Sequence, residues 1–291
     1  MIDEHVLVTP LDGYSLIDFG NGRKLEHFGD YVIDRPAPQA TGTPLQASWQ
    51  ADWVYNGDRV GGGEWLANRK GLPQEWVIHM EDQTMHCRLG QGGQVGIYPE
   101  HVICWRWVRQ RLEGCDHIKD LEVLNLFGGT GGTSVAATIA GATVTHVDAQ
   151  GSQIEQAKKN VTERGVRWIR EDVMTFVERA IRRKEQYHMI IMDPPSFGRG
   201  TKGKVWDIEV DLDALMKQLP RLIAPNCRGI WLSLHTPTFS ASSLEQMFRE
   251  ILPGHNMQAF SLGIQSQDGR TLPAGVAAIW YDDTPFKLTA E

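Results

Sequence analysis

Glu122–Asp148 reads EVLNLFGGTGGTSVAATIAGATVTHVD, and its rhythm decides the fold class. An apolar run, EVLNLF, stops at a cluster of glycines. TSVAATIA follows with small and apolar residues at helical spacing and closes at Gly141, the residue type that most readily takes the left-handed backbone ending a helix. A second apolar run, TVTHVD, then begins. Strand, glycine turn, helix and strand in that order form a unit whose helix carries the chain back, so that the second strand lies parallel to the first.

The alternation continues toward the C-terminus. Ile154, Ala157 and Val161 share one helical face ahead of Gly165, and VRWIR precedes Val173, Phe176, Val177, Ala180 and Ile181 at the 3.6-residue period. YHMIIMD precedes, after a loop, Ile208, Leu212, Leu215 and Leu219. GIWLSL precedes Leu244, Met247, Phe248 and Ile251, with Ser242 and Glu245 spaced as a capping box. Two strand-like runs, around 256–264 and 275–281, close the pattern with no helix between them. Five strand–helix units and a terminal hairpin predict an α/β domain over 111–291 with a mixed seven-stranded sheet.

Residues 1–110 carry β signals instead. Asn21-Gly22 and Asn56-Gly57 stand between extended runs as hairpin turns, HCRLGQGGQVGIY folds back through glycines, and RPAPQATGTP suits an irregular connection. This half is expected to form a smaller β-rich N-terminal domain. It holds six of the ten tryptophans, which serve either as a base-stacking surface or, more simply, as the core of a small β domain.

The chain has 291 residues, 41% hydrophobic and 22% charged, enough for one large or two ordinary domains. No basic N-terminal segment leads into an apolar stretch, and no apolar run approaches the roughly 18 residues of a membrane span, so a cytoplasmic protein without a membrane partner is expected. The four cysteines form no CxxC pair, which signals neither a zinc site nor a disulfide framework, and no metal is expected. A formal charge of -7 argues against gripping nucleic acid with the whole surface and leaves local basic patches open. Oligomeric state has no signal in the sequence.

Open α/β sheets bind ligands where the carboxyl ends of the strands meet the following loops, and glycines there let backbone approach the ligand. The first such loop is NLFGGTGGTS, which makes Asn125, Phe127, Gly128, Gly129, Thr130 and Gly131 candidate ligand residues. Gly129, Gly131 and Ser134 approximate GxGxxG with its last glycine changed, a match too weak to name the ligand. Asp148 ends the second strand, where an acid accepts hydrogen bonds from ribose hydroxyls; Ser152 with Glu155 offers the next helix a cap of its own. Asp172 ends the third strand and accepts from an adenine amino group, caps the helix that Val173 begins, or does both.

The fourth strand runs into IIMDPPSFGRG. Proline fixes φ and restricts the residue before it, so Asp193-Pro194-Pro195 holds a carboxylate and backbone carbonyls on a stiff strip, with Phe197 presenting an aromatic face beyond. Arg199, Lys202 and Lys204 follow in a Gly-containing loop, either contacting phosphates or solvated. The clusters Arg106-Arg109-Arg111 and Arg182-Arg183-Lys184 read as solvated faces.

VLNLFGGTGG, HVDAQ, REDV and IIMDPPSF, in that order, resemble the S-adenosylmethionine-dependent class I methyltransferases, which have a Rossmann-like fold, and in particular the bacterial 23S ribosomal RNA base methyltransferases with a DPPxF loop. The likeness runs from about Gln91 to Asp282 and takes in GQVGIYPEH. It implies S-adenosylmethionine as the methyl donor, with Phe127 to Gly131 around the methionine moiety, Asp148 on the ribose, Asp172 and Val173 around adenine, and Asp193 and Pro194 beside the reacting methyl. It also implies RNA, of ribosomal kind, as the partner, with Phe197 as the face on which an extruded base stacks.

One departure stands out. Ser196 separates Phe197 from the second proline, whereas amino-methylating enzymes with an (N/D)PPY loop place the aromatic directly after it, so exocyclic-amine, ring-nitrogen and ring-carbon acceptors all stay open. Carbon methylation of cytosine uses a cysteine nucleophile, and LSLHTP carries Ser233 and His235 where carbon-modifying relatives place one, which favours nitrogen. The competing expectations are a methyltransferase acting on a small molecule or protein, a non-catalytic RNA- or donor-binding assembly factor, and a nicotinamide-dependent oxidoreductase, which leaves DPPSF unexplained.

Overall fold

The structure, a computed structural model, describes residues 5–58, 62–113, 115, 117–161, 165–200, 203–254 and 256–281. The chain begins with β1 (His5–Val8), β2 (Tyr14–Gly20), β3 (Arg23–Phe28), β4 (Tyr31–Pro36), β5 (Trp53–Gly57), β6 (Gly63–Ala67), β7 (Glu75–Met80) and β8 (Gln83–Arg88). Then come α1 (Val102–Leu112), β9 (Glu122–Leu126), α2 (Gly132–Ile139), β10 (Thr143–Asp148), α3 (Gly151–Asn160), β11 (Val166–Arg170), α4 (Val173–Arg182) and β12 (Met189–Met192). The chain continues through β13 (Phe197–Arg199), β14 (Val205–Asp207), α5 (Ile208–Met216), β15 (Gly229–Leu234), α6 (Ala241–Ile251), β16 (Asn256–Gln265) and β17 (Thr271–Tyr281). Two compact units result: Met1–Val6 with Ile103–Ser261 and Gly275–Glu291, and Leu7–Val102 with Leu262–Ala274.

The first unit is built on a mixed sheet of order β1-β16-β17-β15-β12-β9-β10-β11. Strands β9, β10, β11, β12 and β15 run parallel, and β17 is antiparallel to β15. The sheet has eight strands, not the expected seven, because the short segment His5–Val8 adds beside β16. An isolated four-residue run ahead of a β-rich half carries nothing that assigns it to a sheet so far along the chain. Alternation decides which side chains meet which layer. Leu124, Leu126, Ile190 and Met192 join Phe176 and Val177 of α4 and Leu212 and Leu215 of α5 in one core, whereas Asn125 turns to the opposite face.

Two expected helix ends move. Helix α5 stops at Met216 and Leu219 lies in a following 3-10 turn, still fully buried. The capping box of α6 is Ser240 with Ser243 and not Ser242 with Glu245: the Ser240 hydroxyl accepts from the Ser243 N–H, and the Ser243 hydroxyl is the acceptor for the Ser240 N–H. Serine at the third helical position replaces the usual glutamate in that exchange.

The second unit holds a five-stranded sheet, β2-β3-β4-β5-β6, and the hairpin β7-β8. Asn21 and Gly22 both take positive φ, 52° and 76°, the signature of a two-residue hairpin turn joining β2 to β3. Asn56-Gly57 does not turn. Both residues end β5, opposite Glu64 and Gly63; a Cβ on Gly57 would stand 2.3 Å from the Gly62 carbonyl oxygen, so this glycine serves a close backbone approach. HCRLGQGGQVGIY does fold back, through the Arg88 N–H to Val95 O and Gly90 N–H to Gln94 O hydrogen bonds across a 3-10 turn, but no strand follows.

A hydrogen-bonded polar cluster lies in this unit's core. Glu26 is fully buried and accepts from Arg35 at 2.5 Å, Lys24 at 2.9 Å and the Tyr14 hydroxyl at 2.9 Å. Burial raises the Glu26 pKa, but the Arg35 and Lys24 charges outweigh it and hold the carboxyl down to about 2. Arg35 also donates to the Gly93 carbonyl, tying the glycine turn to the sheet. Trp53 is buried, and the half-buried Trp49, Trp65 and Trp76 donate their indole N–H groups to Asp18, Gly90 O and Phe28 O, the bonding of structural tryptophans.

Candidate active site

Strand β9 lies between β10 and β12, so the chain leaves it in one direction through α2 and returns on its other side at β12. Such a switch point opens a crevice at the carboxyl ends of the two central strands. Met192 pairs with Leu126, which brings Asp193 and Phe127, the next residues of each strand, to the same end of the sheet. The two motifs singled out in the sequence thus share one crevice.

The glycine loop is supported from below. Phe127 holds φ 56°, a conformation costly for a bulky side chain, and its ring packs on Trp206 at 4.7 Å between centroids. A Cβ on Gly128 would meet the His146 ring at 2.4 Å, and one on Gly131 would meet the Ala157 Cβ at 2.8 Å. Gly129 differs: at φ 54°, a Cβ there would find nothing nearer than the Phe127 carbonyl oxygen at 4.0 Å. Thr130 is buried, and its carbonyl accepts from the Asn160 amide at 2.8 Å.

Asn125 reaches under this loop. Its Nδ2 donates to the Ser134 hydroxyl at 2.9 Å, and that hydroxyl meets His146 Nδ1 at 3.0 Å. His146 is fully buried, and burial lowers its pKa to about 4, so the ring is neutral at ordinary pH.

Asp148 ends β10 with both carboxylate oxygens directed by backbone: Oδ2 accepts from Gly129 N–H at 2.9 Å and Oδ1 from Gln150 N–H at 2.7 Å. Burial pushes this carboxyl above its usual range, and the two N–H groups offset that in part. Helix α3 begins after Gln150 with no side-chain cap, so the expected Ser152 and Glu155 box does not form; the Asp148 to Gln150 bond orders the turn instead.

Asp172 is the N-cap of α4: its Oδ1 accepts from the Thr175 N–H at 3.0 Å and hydroxyl at 2.8 Å. Val173 beside it is buried in the core. Lys204 Nζ lies 2.7 Å from Thr175 Oγ1 and 3.5 Å from Asp172 Oδ1, so the structure places this lysine on the cap.

The segment after DPPS is a hairpin and not an irregular loop. Strands β13 and β14 pair with Gly198 opposite Trp206, closed by the Gly200 N–H to Lys204 O bond at 2.7 Å. Trp206 donates its indole N–H to Pro195 O at 2.8 Å, and Ile208 N–H bonds Ser196 O, so these two carbonyls are already engaged. Pro194 is buried, whereas Phe197 is 59% exposed on the hairpin face opposite Trp206. Lys202 lies outside the described residues.

Asp193 is held from β15 and the loop after it: its Oδ1 lies 2.6 Å from Ser233 Oγ and 3.1 Å from His235 Nε2. Sequence reasoning did not anticipate this pair, nor Trp206 or His146 as walls of the loop. The signal that could have found the pair is position: Ser233 and His235 stand at the carboxyl end of their strand, as Asp193 does at the end of its own.

An acid at the end of β10, an acid capping α4 and a glycine loop over the switch point define a Rossmann-like α/β protein built for a nucleoside-bearing ligand. A model of the S-adenosylmethionine-dependent methyltransferase family matches residues 20–258, and the chain belongs to that family. A crystal structure of an S-adenosylmethionine-dependent methyltransferase from Agrobacterium tumefaciens is 33% identical, with a TM-score of 0.91 over 97% of this chain and 94% of that one. The structure of SMU.776 in complex with SAH is 19% identical, with a TM-score of 0.70 over 93% of this chain and 76% of that one, and shares the fold. Ribosomal RNA large subunit methyltransferase K/L of Pseudoalteromonas atlantica is 32% identical over 136 residues, 45% of this chain but 18% of that protein.

The methyl donor of that family is S-adenosylmethionine. The residues present fit it. Gly129 leaves open the space over the loop that a side chain would fill, and Asp148 presents a carboxylate already oriented by two N–H groups, each oxygen with a further lone pair for a hydroxyl.

Proposed function

We propose that this protein transfers a methyl group to a base nitrogen of ribosomal RNA. The observation that carries the reading is the seating of the Asp193-Pro194-Pro195 strip beside the glycine loop at the switch point, with the Asp193 carboxylate oriented by Ser233 and His235. Similarity to a large-subunit ribosomal RNA methyltransferase supports the class of acceptor. S-adenosylmethionine, when bound, supplies an electrophilic methyl on a sulfonium that is itself a good leaving group. The chain's part is to position and desolvate the acceptor.

Phe127 to Gly131 would hold the methionine end, Asp148 the ribose, and Asp172 with Val173 the adenine side. Asp193 accepts a hydrogen bond from the acceptor amine, and takes its proton where the attacked nitrogen carries one. Phe197, the exposed aromatic four residues on, offers the stacking face, and Arg199, Lys202 and Lys204 belong to the segment that would run along the phosphates.

The cysteines favour nitrogen over ring carbon. Cys227 bonds to Gly229 O at the amino end of β15, away from Asp193, and the Cys104 thiol is pushed well above its ordinary pKa by burial, which keeps it protonated and a poor nucleophile.

The test is transfer of tritiated methyl from S-adenosylmethionine to unmodified 23S ribosomal RNA, with 16S ribosomal RNA, transfer RNA and a protein extract as competing acceptors. Label recovered in an N-methylated base of 23S RNA is expected, with Asp193→Ala lowering the rate by about 10²–10⁴-fold. Label confined to protein or small molecules would overturn the acceptor, and full activity in Asp193→Ala would overturn the role of that residue.

A further inference from the structure

The carboxyl end of β15 and its loop, Ser233 to Thr236, make three hydrogen bonds to the DPPSF strip. Ser233 Oγ donates to Asp193 Oδ1 at 2.6 Å, His235 Nε2 meets the same oxygen at 3.1 Å, and Thr236 Oγ1 lies 2.6 Å from Ser196 Oγ. Ser233 is 1% exposed, so its hydroxyl would be costly to bury without that partner. Leu232 and Leu234, which alternate with them along the chain, face the core, and this leaves Ser233 and His235 on the opposite side.

A fourth residue makes room for this arrangement. Gly275 of β17 has φ 110°, and a Cβ on it would stand 2.4 Å from Leu234 O and 2.9 Å from His235 Nδ1. Any side chain there would press on the imidazole that meets Asp193. The bonds also account for Ser196, the residue that interrupts the proline–aromatic succession, because its hydroxyl fastens the strip to Thr236.

We infer that Ser233, His235 and Thr236 are positioning residues, which fix the Asp193 carboxylate and the Asp193–Phe197 strip for methyl transfer. The inference rests on the proposed role of Asp193 in transfer. A hydroxyl and an imidazole on one oxygen restrict rotation of the carboxylate, and misplacement of a reacting group by about 1 Å costs about 10²-fold in rate.

The test has two arms. In the first, Ser233→Ala, His235→Ala and His235→Gln are assayed for kcat and KM with tritiated S-adenosylmethionine and unmodified 23S ribosomal RNA, and for SAH affinity by calorimetry. Loss of about 10²-fold in kcat is expected for the alanine variants, with SAH affinity unchanged. His235→Gln, whose amide keeps an N–H, is expected to recover most of it. In the Asp193→Ala background the same changes should cost nothing more, because the group they orient is gone.

The second arm needs no acceptor: ring ¹⁵N shifts of His235 in labelled protein, compared with and without Asp193→Ala. A changed Nε2 shift is expected. An unmoved His235 resonance, or alanine variants with full kcat, or losses that multiply with Asp193→Ala, would overturn the inference. If 23S RNA accepts no methyl, or Asp193→Ala keeps full turnover, the functional proposal fails separately, and the ¹⁵N comparison still decides whether the contact exists.

Discussion

Gly128 and Gly129 are adjacent in the same loop, yet a methyl group added to each should fail in a different measurement. At Gly128 the new Cβ would stand 2.4, 2.6 and 2.9 Å from three atoms of the His146 ring, which is fully buried and held at Nδ1 by Ser134. The ring cannot step aside without breaking that bond. Overpacking of this kind costs about 1–3 kcal/mol, a fall in Tm of roughly 2–10 °C for a domain of this size. At Gly129 the Cβ would meet only open space, so the stability cost is that of a left-handed alanine, about 1–2 kcal/mol at most. The methyl would instead stand where the donor is to lie, weakening its binding by an order of magnitude or more.

The assays are thermal unfolding without ligand and calorimetric titration with SAH, applied to Gly128→Ala and Gly129→Ala. The expected result is a crossover: Gly128→Ala is the less stable, and Gly129→Ala is the weaker binder once differences in stability are allowed for. Gly129→Ala binding SAH as tightly as the unmutated protein would refute the placement of the donor over this loop. Gly128→Ala with an unchanged Tm would refute the packing argument.

Two further outcomes follow from buried ionisable groups. Burial lowers the His146 pKa from 6.5 to about 4, so the folded state binds fewer protons than the unfolded state between those values. The associated stability is present above pH about 6.5 and is lost as pH falls toward about 4, an effect on the order of 3 kcal/mol; His146→Phe should flatten the Tm-against-pH curve in that window, and an equally steep curve would refute the assignment. In the second unit, Glu26→Gln leaves Arg35 and Lys24 buried beside a neutral group and should destabilise by about 3–5 kcal/mol in urea unfolding; a change below about 1 kcal/mol would show that the network relaxes into water.

The parallel core was legible because each of its strands, β9, β10, β11, β12 and β15, leads on to a helix with a clear period, and because glycines and acids cluster at the strand ends. Elements defined by partners distant in sequence were not legible. His5–Val8 is too short to declare a sheet, and its place beside β16 depends on a strand some 250 residues later. Ser233 and His235 stood out as the wrong residue types for a cysteine nucleophile, but their bonds to Asp193 bridge about 40 residues and become visible only when β12 and β15 pair. Lys204 read as a basic loop residue because nothing local shows that the hairpin brings it to Thr175 and Asp172. Asp172 read as a cap, a ligand group or both, and the structure shows its Oδ1 capping α4.

The division of the chain into units bears on how such a protein can change its specificity. The boundaries fall at four places, after Val6, Val102, Ser261 and Ala274, so the second unit is assembled from two separate stretches and the first from three. A fragment beginning at Ile103 would retain Leu262–Ala274 without the rest of its unit. That stretch carries Arg270, whose guanidinium bonds the buried Asp18 of β2 at 2.5 Å. Exchange of one unit for another by a single genetic crossover would therefore sever an interior contact. Trading the second unit whole requires both of its stretches to be replaced together.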